Sequence, residues 1–230
     1  PVRAFVGSPF SVNPGGKYTL EVISPSRGRV EANVAVPSLG SILPEAPAVI
    51  QNPAAFQEPV VFRLTLGPEA RGLLFRMFVD YEVFAGGAWE PRRVEVPESI
   101  VEITDCRSFV GSYPLLGRRT TLHSTFVGVG SVEVRGFSRS AYLRTLLAVR
   151  ARNNFQNVRM TRIRVELVQV EPALYSYYNI VNGFRDDVSM RSDDPDYTNI
   201  RGGLGVFGAM TRQEVVYAIS DTLGVSLTCE

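Results

Sequence analysis

The chain has 230 residues, 45% of them hydrophobic and 20% charged, which suits a globular protein with a substantial core and excludes a disordered one. Its net charge of +1 conceals an imbalance: Lys17 is the only lysine among 24 basic residues, and the others are arginine. Acidic residues are spread among those arginines without a basic run, so a nucleic-acid surface is not expected, and no stretch of about 18 apolar residues predicts a membrane-spanning helix.

In chain order, the start at Pro1-Val2-Arg3 has neither a charged opening nor a long apolar stretch, which fits a cytoplasmic protein, a processed one or a fragment. Residues around Phe5 to Phe10 are a first strand candidate, and Asn13-Pro14-Gly15-Gly16 forms a turn cluster. Tyr18-Thr19-Leu20-Glu21-Val22-Ile23 then alternates apolar and polar residues, Pro25-Ser26-Arg27-Gly28 turns the chain, and Val30, Ala32, Val34 and Val36 resume the two-residue period. This predicts a β-hairpin. Residues 1–36 hold too few strands to close a sandwich alone, so they are expected to form an incomplete β unit. Five prolines between Pro37 and Pro59 predict a semi-rigid linker over 37–59.

A second body is expected over residues 60–230. Its strand candidates are Val60 to Leu66, Leu73 to Phe84, Trp89 to Val96, Ile100 to Ile103, Leu122 to Val127, Ser131 to Phe137, Leu143 to Arg150, Met160 to Val170 and Glu214 to Ile219. Ala85-Gly86-Gly87-Ala88 supplies a hairpin turn between two of them. One helix is predicted over 172–182: Pro172 stands at its first position, Leu174, Tyr178 and Val181 share a face, and Asn182-Gly183 ends it. The fold class read from this pattern is all-β and sandwich-like with one short helix.

The most specific wording runs from Tyr197 to Gly208. Asn199, Gly202, Gly203, Gly205, Phe207 and Gly208 form a glycine-rich structural motif, in which glycine allows close backbone approach and the apolar residues enter a core. Gly203-Leu204-Gly205-Val206-Phe207-Gly208 satisfies the dinucleotide fingerprint letter by letter, yet a strand rather than a helix is expected to follow, so nucleotide binding is not predicted.

Three stretches together resemble a family of Bacteroidetes extracytoplasmic lipoproteins of unknown function, encoded beside TonB-dependent outer-membrane receptors. They are Pro14 to Val22 leading to Val34-Ala35-Val36-Pro37, the tyrosine-rich Ala173-Leu174-Tyr175-Ser176-Tyr177-Tyr178, and Thr198-Asn199-Ile200 running into Gly202 to Gly208. The resemblance implies an immunoglobulin-like β-sandwich and a place outside the cytoplasm, at the bacterial outer membrane or cell surface. It also implies a protein partner there, either an outer-membrane receptor or copies of the chain itself. The family's lipid-bearing cysteine has no counterpart in these residues, so membrane attachment would depend on a lipid anchor outside this chain.

Catalytic signatures are sparse. His123 is the one histidine, no G-x-S-x-G elbow accompanies it, and its position between Leu122 and Phe126 reads as structural. Glu95 and Glu102 are a carboxylate pair that a glycan hydrolase would need at a suitable separation. Cys106 and Cys229 lack metal-knuckle spacing and are either one long-range disulfide or two separate thiols. Asp193, Asp194 and Asp196 belong to an acidic loop whose ordinary state is solvated and balanced by arginine; calcium is the cation that would suit it, and no other cofactor is expected. Tyr175, Tyr177 and Trp89 are candidates for an aromatic ligand platform. The leading expectation is a non-enzymatic envelope binding protein, followed by a structural subunit that pairs strands between chains, then a glycan or peptide hydrolase.

Overall fold

The computed structural model describes residues 11–25, 28–52, 57–118, 132–153, 157–183 and 197–219. The described elements begin with β1 (Lys17–Ser24), β2 (Gly28–Ala35), β3 (Ser41–Pro44), α1 (Pro47–Gln51) and β4 (Val60–Thr65). Next come β5 (Gly72–Ala85), β6 (Ala88–Val96), β7 (Ser99–Ile103), β8 (Phe109–Ser112), β9 (Gly117–Arg118) and β10 (Val132–Phe137). The series ends with α2 (Arg139–Arg152), β11 (Val158–Val170), α3 (Pro172–Gly183) and β12 (Met210–Ala218). The fold is mostly β, in antiparallel sheets. Two compact units divide it: one takes residues 1–39, 67–71 and 169–211, the other 40–66, 72–168 and 212–230.

In the first unit β1 and β2 pair from Lys17↔Ala35 to Ser24↔Gly28, as the alternation predicts. Ala32, Val34 and Val36 are buried on β2 and just beyond it. The base of the hairpin is closed by Gly15 N–H donating to the Val36 carbonyl and Val36 N–H donating to that of Gly16. Helix α3 starts at Pro172 as predicted, and the buried Glu171 caps it: its carboxylate accepts from the N–H groups of Ala173 and Leu174 at 2.7 and 2.6 Å. A carboxylate there also meets the positive end of the helix dipole.

In the second unit the sheets run β10-β4-β3 and β12-β11-β5-β6, with β9 on β5 and β7-β8 as a separate ribbon. Gly86 and Gly87 both have positive φ, 58° and 87°, the geometry a two-residue hairpin needs to match the twist of β5 and β6. The two larger sheets meet through aromatic rings. Phe62 packs edge-on against Phe75 with centroids 5.1 Å apart, Phe75 reaches Phe137 at 5.9 Å, and Phe62 reaches Tyr217 at 6.4 Å. Each fully buried phenylalanine contributes about 1.5–3 kcal/mol by leaving water.

Two expectations give way here. Leu143 to Arg150 is not a strand but the middle of α2, whose N-cap Ser138 accepts from Ala141 N–H at 3.1 Å. This helix buries Ala141, Tyr142, Leu146, Leu147, Ala148, Val149 and Ala151, so apolar residues surround most of it and no amphipathic period is visible. Residues 37–59 are not only a linker. They hold β3 and α1, with Ile42, Val49 and Ile50 buried and the Tyr142 hydroxyl donating to the Ile50 carbonyl at 2.9 Å. Helices thus number three rather than one among the described residues. The candidate strand Leu122 to Val127 lies outside those residues.

Candidate functional site

Alternation along β5 sends Phe75, Met77 and Val79 into the core, which places Arg76, Phe78, Asp80, Glu82 and Phe84 on the opposite face. The register sets Asp80 across from Arg93, Phe78 across from Glu95 and Phe84 across from Trp89. On β11 the buried Ile163, Val165 and Leu167 turn Arg162, Arg164 and Glu166 the other way. Arginine and aliphatic residues thus alternate between the two faces of one strand.

The polar face is stitched by charge. Asp80 is its hub, accepting from Arg93 Nε at 2.6 Å and from Arg164 Nη2 and Nε at 2.8 and 3.1 Å. The side chains of Asp80 and Arg164 are only 16% exposed, so this pair is less screened than an ordinary surface bridge. Arg164 also donates to Glu214, and Arg212 bridges Glu214 at 3.7 Å and Glu166 at 2.5 Å. The chain Arg93–Asp80–Arg164–Glu214–Arg212–Glu166 thus crosses four strands. Beside it Arg76 grips Glu95 through two nitrogens at 2.8 and 2.5 Å, and that hydrogen bond raises the already high Arg76 pKa. The guanidinium groups of Arg76 and Arg93 cover the Phe78 ring at 4.8 and 5.6 Å, and burial of that ring follows.

A cleft of ≈ 560 Å³ opens on this sheet, lined by Asp80, Tyr81, Glu82, Pro91, Arg92, Arg93, Thr161, Arg162 and Arg164. Its arginines come from sequence positions far apart, Arg92 and Arg93 on β6 and Arg162 and Arg164 on β11. The absence of a basic run in the sequence therefore did not reveal a basic cleft in space. Arg92 is held by Glu90 at 2.6 Å, an exposed pair, whereas Arg162 has no ion-pair partner among the described residues. Asp80 and Arg93 were not singled out by the sequence; the signal available was the outward parity of the β5 and β6 positions.

The glycine-rich motif has a different construction. Asn199 clamps the loop, its Nδ2 donating to the Phe207 carbonyl at 2.8 Å and its Oδ1 accepting from Phe207 N–H at 2.9 Å. Arg201 and Glu31 exchange backbone hydrogen bonds of 2.7 and 3.0 Å, which pins the loop to β2. Gly202 has φ +77°, and a Cβ there would stand 2.8 Å from the Arg29 carbonyl oxygen. At Gly208 a Cβ would stand 2.8 Å from Leu174 Cβ and 3.2 Å from the Glu171 carboxylate. A Cβ at Gly203 would press on Val30 at 3.1 Å, and one at Gly205 would make ordinary contact with Ile200. The chain continues into β12, so no helix opens from these amides.

The remaining candidates scatter. Trp89 sits at the tip of the β5–β6 hairpin, its ring 5.4 Å from Phe84 and covered by Arg159 at 4.5 Å, while Arg159 also pairs with Glu82. Tyr175 and Tyr177 are on α3 in the other unit. Glu95 is spent on Arg76, and Glu102 is exposed on β7. Cys106 is disulfide-bonded; beside it Asp105 is held below its ordinary pKa by the Ser108 hydroxyl and the N–H groups of Arg107 and Ser108. His123, Cys229, Asp193, Asp194 and Asp196 lie outside the described residues. Among those that are described, no three His, Cys, Asp or Glu side chains gather to hold a metal, and no helix is long and apolar enough to cross a membrane. Comparison with family models, curated proteins and solved structures found no match to this chain.

Proposed function

We propose that this chain is a non-enzymatic binding protein of the bacterial envelope, which holds its ligand or partner against the charged face of the β12-β11-β5-β6 sheet. One observation carries the reading: Asp80, Glu82, Glu95, Glu166 and Glu214 each pair with an arginine. A carboxylate so paired is held in place by its arginine, and a face of charges already fixed in position suits a recognition surface. The envelope location, the role beside an outer-membrane receptor and the immunoglobulin-like character of the β units belong to the same proposal and rest on the lipoprotein resemblance.

Arrays of bacterial surface glycans and acidic peptides, read for both retention and cleavage, test it. Salt-sensitive retention of intact ligand that Arg212→Ala weakens is the expected result. Release of fragments that stops in Glu95→Gln would replace the binding protein with a hydrolase. A second reading, a subunit that pairs strands between copies, is favoured by β1, which among the described strands pairs only with β2 and leaves Ile23 72% exposed. A two-stranded ribbon is marginal alone and offers an open edge. Light scattering that gives a single monomer mass at every concentration would remove that alternative.

A further inference from the structure

We propose that the cleft between β5, β6 and β11 is an oxyanion-binding site, with Arg162 as its recognising side chain. Its ligand is a polar molecule bearing a carboxylate, sulfate or phosphate group. The inference deepens the reading of this sheet face as a binding surface and rests on it.

Three features combine. The first is unbalanced charge: Asp80 and Glu214 already engage Arg164, Glu82 engages Arg159, and Arg162 alone in the cleft has no carboxylate among the described residues. A guanidinium with its fork of N–H donors free is matched to a planar or tetrahedral oxyanion. The second is preorganisation. Arg93 and Arg164 are fixed by Asp80, so the cleft wall is set before a ligand arrives. The third is size, since ≈ 560 Å³ lies within the roughly 300–1,000 Å³ usual for small-ligand sites. Thr161, whose hydroxyl donates to the Asp80 carbonyl at 2.9 Å, keeps an acceptor at the rim for a ligand hydroxyl.

The experiment titrates the full chain with sodium sulfate, inorganic phosphate and an oligogalacturonate at fixed low ionic strength, read by calorimetry and by fluorescence. Trp89 is the only tryptophan and stands two residues before Pro91 of the cleft wall, so its emission reports locally. Saturable binding of at least one probe is expected, about tenfold weaker in Arg162→Ala and restored in part by Arg162→Lys. Arg63→Ala, which removes an exposed arginine of β4 paired with Glu45, is expected to leave it unchanged. A response to the oligogalacturonate alone assigns a carboxylate-bearing sugar, and one to sulfate or phosphate assigns the tetrahedral anions. Equal binding by wild type and Arg162→Ala, or no binding by any probe, overturns the site. If the probes fail while Arg212→Ala still weakens array retention, the cleft assignment falls and the sheet face stands; if both fail, both readings fall.

Discussion

The arginine face of the second unit and the glycine loop of the first are both dense in polar contacts, yet they are held by different forces. On the sheet face the links are side-chain ion pairs such as Asp80–Arg164 and Arg212–Glu166, which salt screens. In the loop the links are backbone bonds and steric fits, Asn199 to Phe207 and Gly208 against Leu174, which have no alternative partner. The difference separates adaptable surface from scaffold: the first can lose a pair without unfolding, and the second cannot change without moving the chain.

The scaffold half of that contrast is broken most severely at Gly202. Alanine there must adopt φ +77° with its Cβ 2.8 Å from the Arg29 carbonyl oxygen, and the combined strain and clash should cost about 3 kcal/mol in urea unfolding. Gly208→Ala keeps an ordinary φ but collides with Leu174 and crowds the Glu171 cap, so about 2 kcal/mol is expected. Asn199→Ala strips both partners from Phe207 and should cost about 2 kcal/mol as well. Asn199→Asp separates the two bonds, because the carboxylate still accepts from Phe207 N–H and only the donor to its carbonyl is lost. If all four variants melt like wild type, the loop is not scaffold.

Much of this was legible beforehand, for reasons that follow from period and punctuation. The hairpins over 17–35 and 72–96 announce themselves because one face of each strand is buried and glycine marks the turn, as at Gly86-Gly87. Helix α3 shows its proline start. Helix α2 hides because a helix buried on most sides has no polar stripe, and Leu146-Leu147-Ala148-Val149 reads equally as a buried strand; Ser138 as N-cap and the Ala, Leu and Arg content were the usable signals. The glycine motif's packing role could be read from composition, since only glycine tolerates such approach. The cleft could not, because it depends on the register that brings Asp80 beside Arg93 and Arg164, and register is a tertiary fact.

The adaptable half is sharpened at Asp80. Asp80→Asn leaves Arg93 and Arg164 without their shared charge, yet both reach water, so the loss should be about 1 kcal/mol rather than the several expected of a dry interior pair. The distinguishing feature is salt. The gap between Asp80→Asn and wild type should shrink at about 0.5 M salt, whereas the gap for Gly208→Ala should not. Equal salt dependence in the two variants would erase the distinction between the regions.

The smallest effect concerns acid. Burial alone would raise the Glu69 carboxyl, but the N–H and hydroxyl of Ser38, both 3.1 Å away, its own backbone N–H and the charge of Lys17 together outweigh it and hold the pKa below the ordinary value. A group depressed in the folded state binds its proton more tightly when unfolded. Its contribution is therefore complete above the unfolded value of about 4.3 and disappears as pH falls through the lower folded value. Glu69→Gln should accordingly narrow the difference in Tm between about pH 6 and about pH 3.5 by a small amount. It does so by lowering the plateau near neutrality, where the ionised carboxylate is the better acceptor for Ser38, and not by raising the acid end. An unchanged plateau in Glu69→Gln would mean that the Ser38 contacts do not favour the charged form, and Glu69 would then belong with the adaptable surface pairs rather than with the scaffold.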